Sequence, residues 1–315
     1  MSLTRSQLGE KLRLPVFGAP MFLVSGPGLV IAQCRAGILG VMPALNVRDP
    51  DRLGSTLAEI REALSGEPAA PFGVNLIAHA SNQRLAHDLE VCVDQRVPLI
   101  VTSLGTSEDI VRRIHSYGGL VFHDVTNTRH ARKAVKAGVD GIVAVAAGAG
   151  GHGGTISPFA LCREIRAIHS GPIALAGAIS TGSDIAAARA MGADFAYMGT
   201  RFIATEEANI SDGYAQMLLA ATAEDIVYTP HFSGTPGNYL KASIVAAGLD
   251  PDVVRRASGG AMQVTDEGVK KAWRDIWSAG HGVGATGEVM PVATLVDRLE
   301  TEFRAAGGAV GRIWR

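Results

Sequence analysis

One histidine sits in an uncommon setting. His152 lies within VAAGAGGHGG (residues 145–154), where closely spaced glycines expose backbone donors and carbonyls to a flat ligand. A single imidazole in such a loop can act near neutral pH as a general base or a hydrogen-bond donor. The plainer reading is a surface histidine on a flexible loop. Two further segments, AGAISTG (residues 176–182) and MGTRF (residues 198–202), place Gly177 and Gly199 where backbone could approach an anion closely. Ser180, Thr181 and Thr200 add hydroxyl donors there. Either segment alone could be no more than a tight turn. GAPMF (residues 18–22) offers a turn stiffened by Pro20 and an apolar wall of Met21 and Phe22, and reads equally well as core. Asn75, in FGVNL, could bond the edge of a ring, and His123 with Asp124 close another apolar run expected to face the same mouth.

The elements that must position these residues follow a repeating pattern. Short apolar, β-rich runs at 15–21, 38–42, 71–76, 98–102, 119–123, 141–145, 173–176 and 195–198 read as eight strands. Helical periodicity separates them, as at 51–64, 82–94, 107–117, 129–137, 158–168 and 183–190. Helices end near glycine in AGILG (36–40), YGGL (117–120), AGVDG (137–141) and MGADF (191–195), where a left-handed C-cap precedes the next strand. Eight such units close as a (β/α)8 TIM barrel. A doubly wound open sheet would carry G-x-G-x-x-G after its first strand, and the chain has GAPMFLVSGPG there instead. In a barrel, the loops after strands seven and eight commonly form one phosphate site, which joins Gly177 to Gly199. Helical pattern resumes at 291–305, the closing helix. The barrel is therefore expected over 1–204 and 290–315, with a small cap subdomain at 205–289 inserted after the eighth strand.

Composition narrows the functional classes. Of 315 residues, 47% are hydrophobic and 19% charged, with net charge −1 and no basic run, so nucleic acid and acidic membranes are poor partners. Cys34, Cys92 and Cys162 are odd in number and far apart, which suits small core hydrophobes in a reducing compartment. The N-terminal MSLTRSQLGEKLRL is polar and mixed in charge, unlike a signal peptide, and no apolar run reaches a membrane span, so a cytoplasmic location is expected. HExxH, zinc-spaced Cys/His clusters, GxSxG and GxxxxGK[ST] are all missing, and no metal site is expected. RHARKAVK and EGVKKAWRD read as solvated helix faces.

In order along the chain, GAPM, FGVN, AGGHGG, AGAISTG and MGTRF resemble the nitronate monooxygenase family, formerly called 2-nitropropane dioxygenase. SGTPGNYLKASIVAAGLDP and WSAGHGVG are similar to later family segments, so the resemblance spans nearly the whole chain. It implies non-covalent FMN, with the phosphate on Gly177, Ala178, Gly199 and Thr200. The ring would lie near Ala19, Pro20 and Met21, bordered by Asn75, Asp124, Gly151 and Ala176. His152 matches the family's base, which takes the proton from the carbon bearing the nitro group. A carbonyl compound and nitrite are the implied products. The implied partners are a small-molecule substrate and dioxygen, with a homodimer as a possible assembly. The chain departs from the pattern at three places: Gly148 stands for the acid of EAGGH, Ala178 for a phosphate-loop glycine, and Asp124 for the lysine of related flavin reductases. The same barrel serves NAD(P)H-dependent quinone and enoyl-ACP reductases, which are the alternative reading. A flavin carrier without turnover is a third.

Overall fold

A computed structural model describes residues 5–66, 68–256 and 276–313. Eight parallel strands form a closed barrel. They are β1 (Val16–Gly18), β2 (Leu39–Pro43), β3 (Gly73–Ile77), β4 (Leu99–Ser103), β5 (Leu120–Val125), β6 (Gly141–Val145), β8 (Ile173–Ala176) and β9 (Phe195–Met198), and β9 pairs back onto β1. The eight barrel strands fall where the alternating pattern places them. Left-handed glycines at Gly37, Gly118, Gly138 and Gly192 end helices before β2, β5, β6 and β9. A residue with a Cβ would pay a steric penalty at each, so these glycines set where helix stops and strand begins.

Strand alternation divides the core in two. Inward residues Phe17, Val41, Val101, Phe122, Val143 and Phe195 fill the barrel, and Leu8 from the N-terminal helix Arg5–Glu10 closes its lower end. Phe17 stacks on Phe195 at 4.7 Å between ring centroids and meets Phe122 edge-on at 5.4 Å. Outward residues such as Val74, Ile100, Val121 and Ile142 pack under the surrounding helices. The three cysteines are buried and free, and burial pushes the Cys34 thiol up to about 12. They are core hydrophobes. The RHARKAVK run forms helix Thr128–Lys136, which buries only Ala131 and Ala134, as a solvated face should. EGVKKAWRD lies outside the described residues.

Two features differ from the sequence reading. Pro27–Arg35 is a helix between β1 and β2, started by Pro27 at its first turn, where the sequence reading names none. After β9 the chain is less irregular than its glycines suggest. Helix Asp212–Ala220 is followed by antiparallel β10 (Ile226–Thr229) and β11 (Gly237–Leu240), and β11 also pairs with the two-residue strand β7 (Gly151–His152). The closing helix, Val292–Ile313, lies against helix Gly182–Ala190, where a Cβ on Gly182 would overlap Leu299 and Phe303 backbone. Among the described residues, no helix is long and apolar enough to cross a membrane.

Because Phe17 is fully buried among three other rings, Phe17→Ala should lower stability by about 3–5 kcal/mol in urea unfolding. A loss below about 1 kcal/mol would show the barrel interior to be packed otherwise.

Candidate active site

The upper wall of the barrel interior is polar on one side. Asn75, Ser103 and Asp124 belong to the inward set of β3, β4 and β5. Asn75 Nδ2 donates to Ser103 Oγ at 2.7 Å, and Ser103 Oγ donates to Asp124 Oδ2 at 2.6 Å. Asp124 Oδ1 is buried without a hydrogen-bond partner, and so is the hydroxyl of Tyr197 on β9. Burial pushes the Asp124 carboxyl up to about 7, against the opposing pull of the Ser103 hydrogen bond. His123 does not share this mouth. Strand alternation turns it to the outer face, where Nδ1 meets the Thr102 carbonyl at 2.8 Å, and burial lowers its pKa to about 4. Adjacent strand residues cannot both face the interior, so the expected His123–Asp124 pair is split.

The loops above this wall meet one another. Gly177 adopts φ +137°, and a Cβ there would lie 2.7 Å from the Ala147 carbonyl oxygen. Ala178 holds φ +56°, a left-handed conformation that strains any residue with a Cβ. Its N–H donates to Gly148 O at 3.3 Å. A Cβ on Gly150 would lie 3.2 Å from Thr200 Oγ1, so the glycine-rich loop runs between the turn at 177–178 and the turn at 199–200. Gly199 abuts the first loop, since a Cβ there would lie 3.4 Å from Met21 Sδ and 3.5 Å from Ala19 Cβ. Those are ordinary contacts, and its φ is −110°, so neither packing nor backbone demands glycine at 199. Close approach by a bound group would. Ala19 and Met21 thus lie against Gly199, while the glycine-rich loop links the turn at Gly177 and Ala178 to Thr200. Pro20 is half-buried beside them. Ala176, the last residue of β8, points inward below.

One group of expected donors is already engaged. The Thr181 hydroxyl caps helix Gly182–Ala190, and the N–H groups of Ser180 and Thr181 both donate to Asp184 Oδ2 at 2.9 Å. The Thr181 oxygen thus accepts from Asp184 N as a helix cap. Ser180 Oγ, in contrast, is buried with no partner.

His152 enters from the glycine-rich loop as half of β7, opposite Gly237. Its Nε2 is 2.9 Å from Ser233 Oγ, and Ser233 gives its only proton to the Thr235 carbonyl at 2.9 Å. Ser233 must then accept from the ring, which assigns the hydrogen to Nε2 and the basic lone pair to Nδ1. Burial lowers the His152 pKa to about 4, so the imidazole is neutral at pH 7.

Several contributors were not singled out from sequence. The segment 278–283 lies across the opening: Gly280 N donates to Thr200 Oγ1 at 2.8 Å, His281 N donates to Gly148 O at 2.9 Å, and a Cβ on Gly282 would overlap Ser180 Oγ. Ser25 and Asn46 hold the first loop through the Met21 N–H and carbonyl. Asn238 Nδ2 bonds Ala149 O at 2.6 Å. Asn238 and the 278–283 segment entered the sequence reading only within the quoted stretches SGTPGNYLKASIVAAGLDP and WSAGHGVG, with no residue named.

The donor set suits a phosphorylated planar cofactor. Gly177 and Gly150 sit where a side chain would overlap neighbouring backbone, and Ser180 Oγ, Asp124 Oδ1 and Tyr197 OH are buried polar atoms that lack partners. Since Ala178 is held left-handed, Ala178→Gly should raise stability by about 1 kcal/mol in urea unfolding. A destabilised variant would show that the Ala178 methyl contributes more by packing than its backbone strain costs.

The model of the nitronate monooxygenase family matches residues 78–302. A nitronate monooxygenase of Paraburkholderia phytofirmans is 28% identical, covering 95% of this chain and 96% of its own. A Rhodococcus jostii protein named (3aS,4S,5R,7aS)-5-hydroxy-7a-methyl-1-oxo-octahydro-1H-indene-4-carboxyl-CoA dehydrogenase is 27% identical over 78% of this chain and 68% of its own. Among solved structures, nitroalkane oxidase of Streptomyces ansochromogenes superposes with a TM-score of 0.79 at 26% identity, covering 96% of this chain and 99% of that one. With a matching barrel, a matching loop order and a family model that spans well over half its length, the chain belongs to the nitronate monooxygenase family and is an oxidoreductase.

Proposed function

We propose that the chain binds FMN at this opening and oxidises alkyl nitronates with dioxygen to a carbonyl compound and nitrite. Nitroalkanes enter the same reaction once His152 has taken the proton from the carbon bearing the nitro group. A neutral imidazole, bonded to Ser233, on the glycine-rich loop that runs against Thr200 and the turn at Ala178 supports this reading.

FMN, when bound, supplies electron acceptance and reaction with dioxygen. The remaining work falls to side chains and backbone. Gly177, Ala178, Gly199 and Thr200 receive the phosphate through N–H groups, and the 3.3 Å bond from Ala178 N to Gly148 O is long enough to be exchanged for it. Ala19, Pro20, Met21 and Ala176 offer the ring its apolar seat, with Asn75, Asp124 and Gly151 at its border. His152 Nδ1 takes the substrate proton while Nε2 stays bonded to Ser233. The described residues within 205–289 serve as a cap, since Ser233 reaches His152 and Gly280 reaches Thr200 from there.

A second reading, an NAD(P)H-linked flavin oxidoreductase, takes its support from the Rhodococcus relative named a dehydrogenase. The purified protein should be yellow and release FMN on heating. With an alkyl nitronate and no NADH it should consume oxygen and release nitrite; rapid anaerobic bleaching by NADH without nitronate turnover would favour the second reading instead.

His152→Asn should lose about 10²–10⁴-fold on neutral nitroalkanes and much less on preformed nitronates, because only the former need a base. Equal losses would remove the base role. Protonation destroys the lone pair the base uses, and the folded pKa is lowered to about 4. Wild-type turnover of nitroalkanes should therefore stay level from pH 8 to pH 6 and fall as pH drops toward 4. A midpoint near 6.5 would mean that His152 titrates as an exposed ring.

A further inference from the structure

We propose that the Asp124 carboxyl is a hydrogen-bond donor to the bound ligand, offering an Oδ1 proton to an uncharged acceptor edge of the flavin ring, with Tyr197 OH as the second polar group on that side. This rests on the flavin reading above.

The geometry fixes which oxygen carries the proton. Asn75 donates to Ser103, and Ser103 has one hydroxyl proton, committed to Asp124 Oδ2 at 2.6 Å. A proton on the carboxyl therefore resides on Oδ1. That atom and the Tyr197 hydroxyl are both buried and both without a hydrogen bond inside the protein. Burying such a group unpaired is unfavourable unless something completes it. Both belong to residues on the inner face of the barrel at the carboxyl ends of β5 and β9, and Tyr197 feels the Asp124 charge directly. A ligand edge entering the mouth would satisfy the pair. A lysine, as in related reductases, would place fixed positive charge here. A carboxylic acid donates without charge.

The surroundings leave few other groups to titrate. Asn75 and Ser103 on β3 and β4 do not ionise, Val143 and Val145 on β6 and Ala174 and Ala176 on β8 are apolar, and Phe17 and Val41 come from β1 and β2. Burial holds Tyr197 protonated, while the Asp124 carboxyl is pushed up to about 7. His152 is neutral above about 4, and His123 and His130, on the outer side, both have lowered pKa values. His281, over Gly148, is the remaining ring near the opening.

The test is FMN affinity against pH, read by quenching of flavin fluorescence on the apoprotein. Wild type should bind with nearly constant Kd below pH 7 and weaken by up to about tenfold per unit above it, because binding then requires proton uptake. Asp124→Asn keeps a donor and cannot ionise, so its Kd should vary by less than about threefold between pH 6.5 and 9. Tyr197→Phe removes the second donor offered to the ring edge and should weaken binding by a similar factor at every pH, leaving the pH dependence in place. A wild-type slope retained in Asp124→Asn overturns the inference and assigns the titration to His281 or the FMN phosphate. Infrared difference spectra of the apoprotein give a readout that needs no flavin: a carboxylic-acid C=O band lost as pH rises through 7 in wild type, and missing in Asp124→Asn. If that band behaves as expected but FMN does not bind at any pH, the flavin reading fails while the buried acid stands. If the band does not appear, the donor role is wrong whatever FMN does.

Discussion

The carbonyl of Gly148 accepts two backbone protons, one from Ala178 at 3.3 Å and one from His281 at 2.9 Å. Both lone pairs of that oxygen are in use, and three stretches of chain remote in sequence meet at one atom. The loop after β6, the turn after β8 and the segment before the closing helix thereby share an anchor. Side chains are excluded along the seam. At φ +85° Gly148 is left-handed, and a Cβ would lie 3.3 Å from the His281 ring and 3.4 Å from Ala178. An acid here, as in the EAGGH pattern, would press on the His281 side chain and the Ala178 methyl. The departures at 148 and 178 are therefore neighbours in space, with the His281 side chain packed beside both.

That anchor also explains how a loop histidine comes to be ordered. Gly150 and Gly280 approach so closely that a Cβ on Gly150 would be 2.9 Å from Gly280 N, and two residues later Gly151 and His152 pair with β11. Flanking glycines would ordinarily leave an imidazole mobile. Here the backbone on one side is held by contact with the 278–283 segment and on the other by a strand ladder. Ser233, from the same region as β11, then fixes the ring. The catalytic geometry proposed for His152 is thus set by two pieces of the post-barrel chain and only indirectly by the barrel.

The barrel was legible because its signals are local. Alternating strand and helix periods, and the glycines at 37, 118, 138 and 192, act within a few residues of where they stand. Gly177 and Gly199 could be joined only because barrel topology brings the ends of β8 and β9 side by side. What escaped was non-local. β7 is two residues long and exists through its partner β11, so no period in its own sequence could reveal it. The helix Pro27–Arg35 was hidden because glycine on both sides of Pro27 reads as a turn, although proline suits a first helical turn. His123 and Asp124 were read as a pair facing one way, which strand parity forbids. The commitment of Thr181 to its own helix depends on Asp184, a capping box that the sequence contained and the phosphate argument overlooked.

Burial acts on the two ionisable groups at the site in opposite senses and to one end. It lowers His152 to about 4 and raises Asp124 to about 7, in each case against the charged form. At neutral pH the imidazole is a lone-pair acceptor, and the carboxyl holds its proton at the margin of release. An acid and a base can then border one ligand without neutralising each other as an ion pair, which would leave neither able to act on anything else. The two are also held by separate parts of the fold, Asp124 by Ser103 in the barrel wall and His152 by Ser233 beyond it. A ligand lying between them would meet a proton acceptor from the post-barrel side and a proton donor from the barrel side.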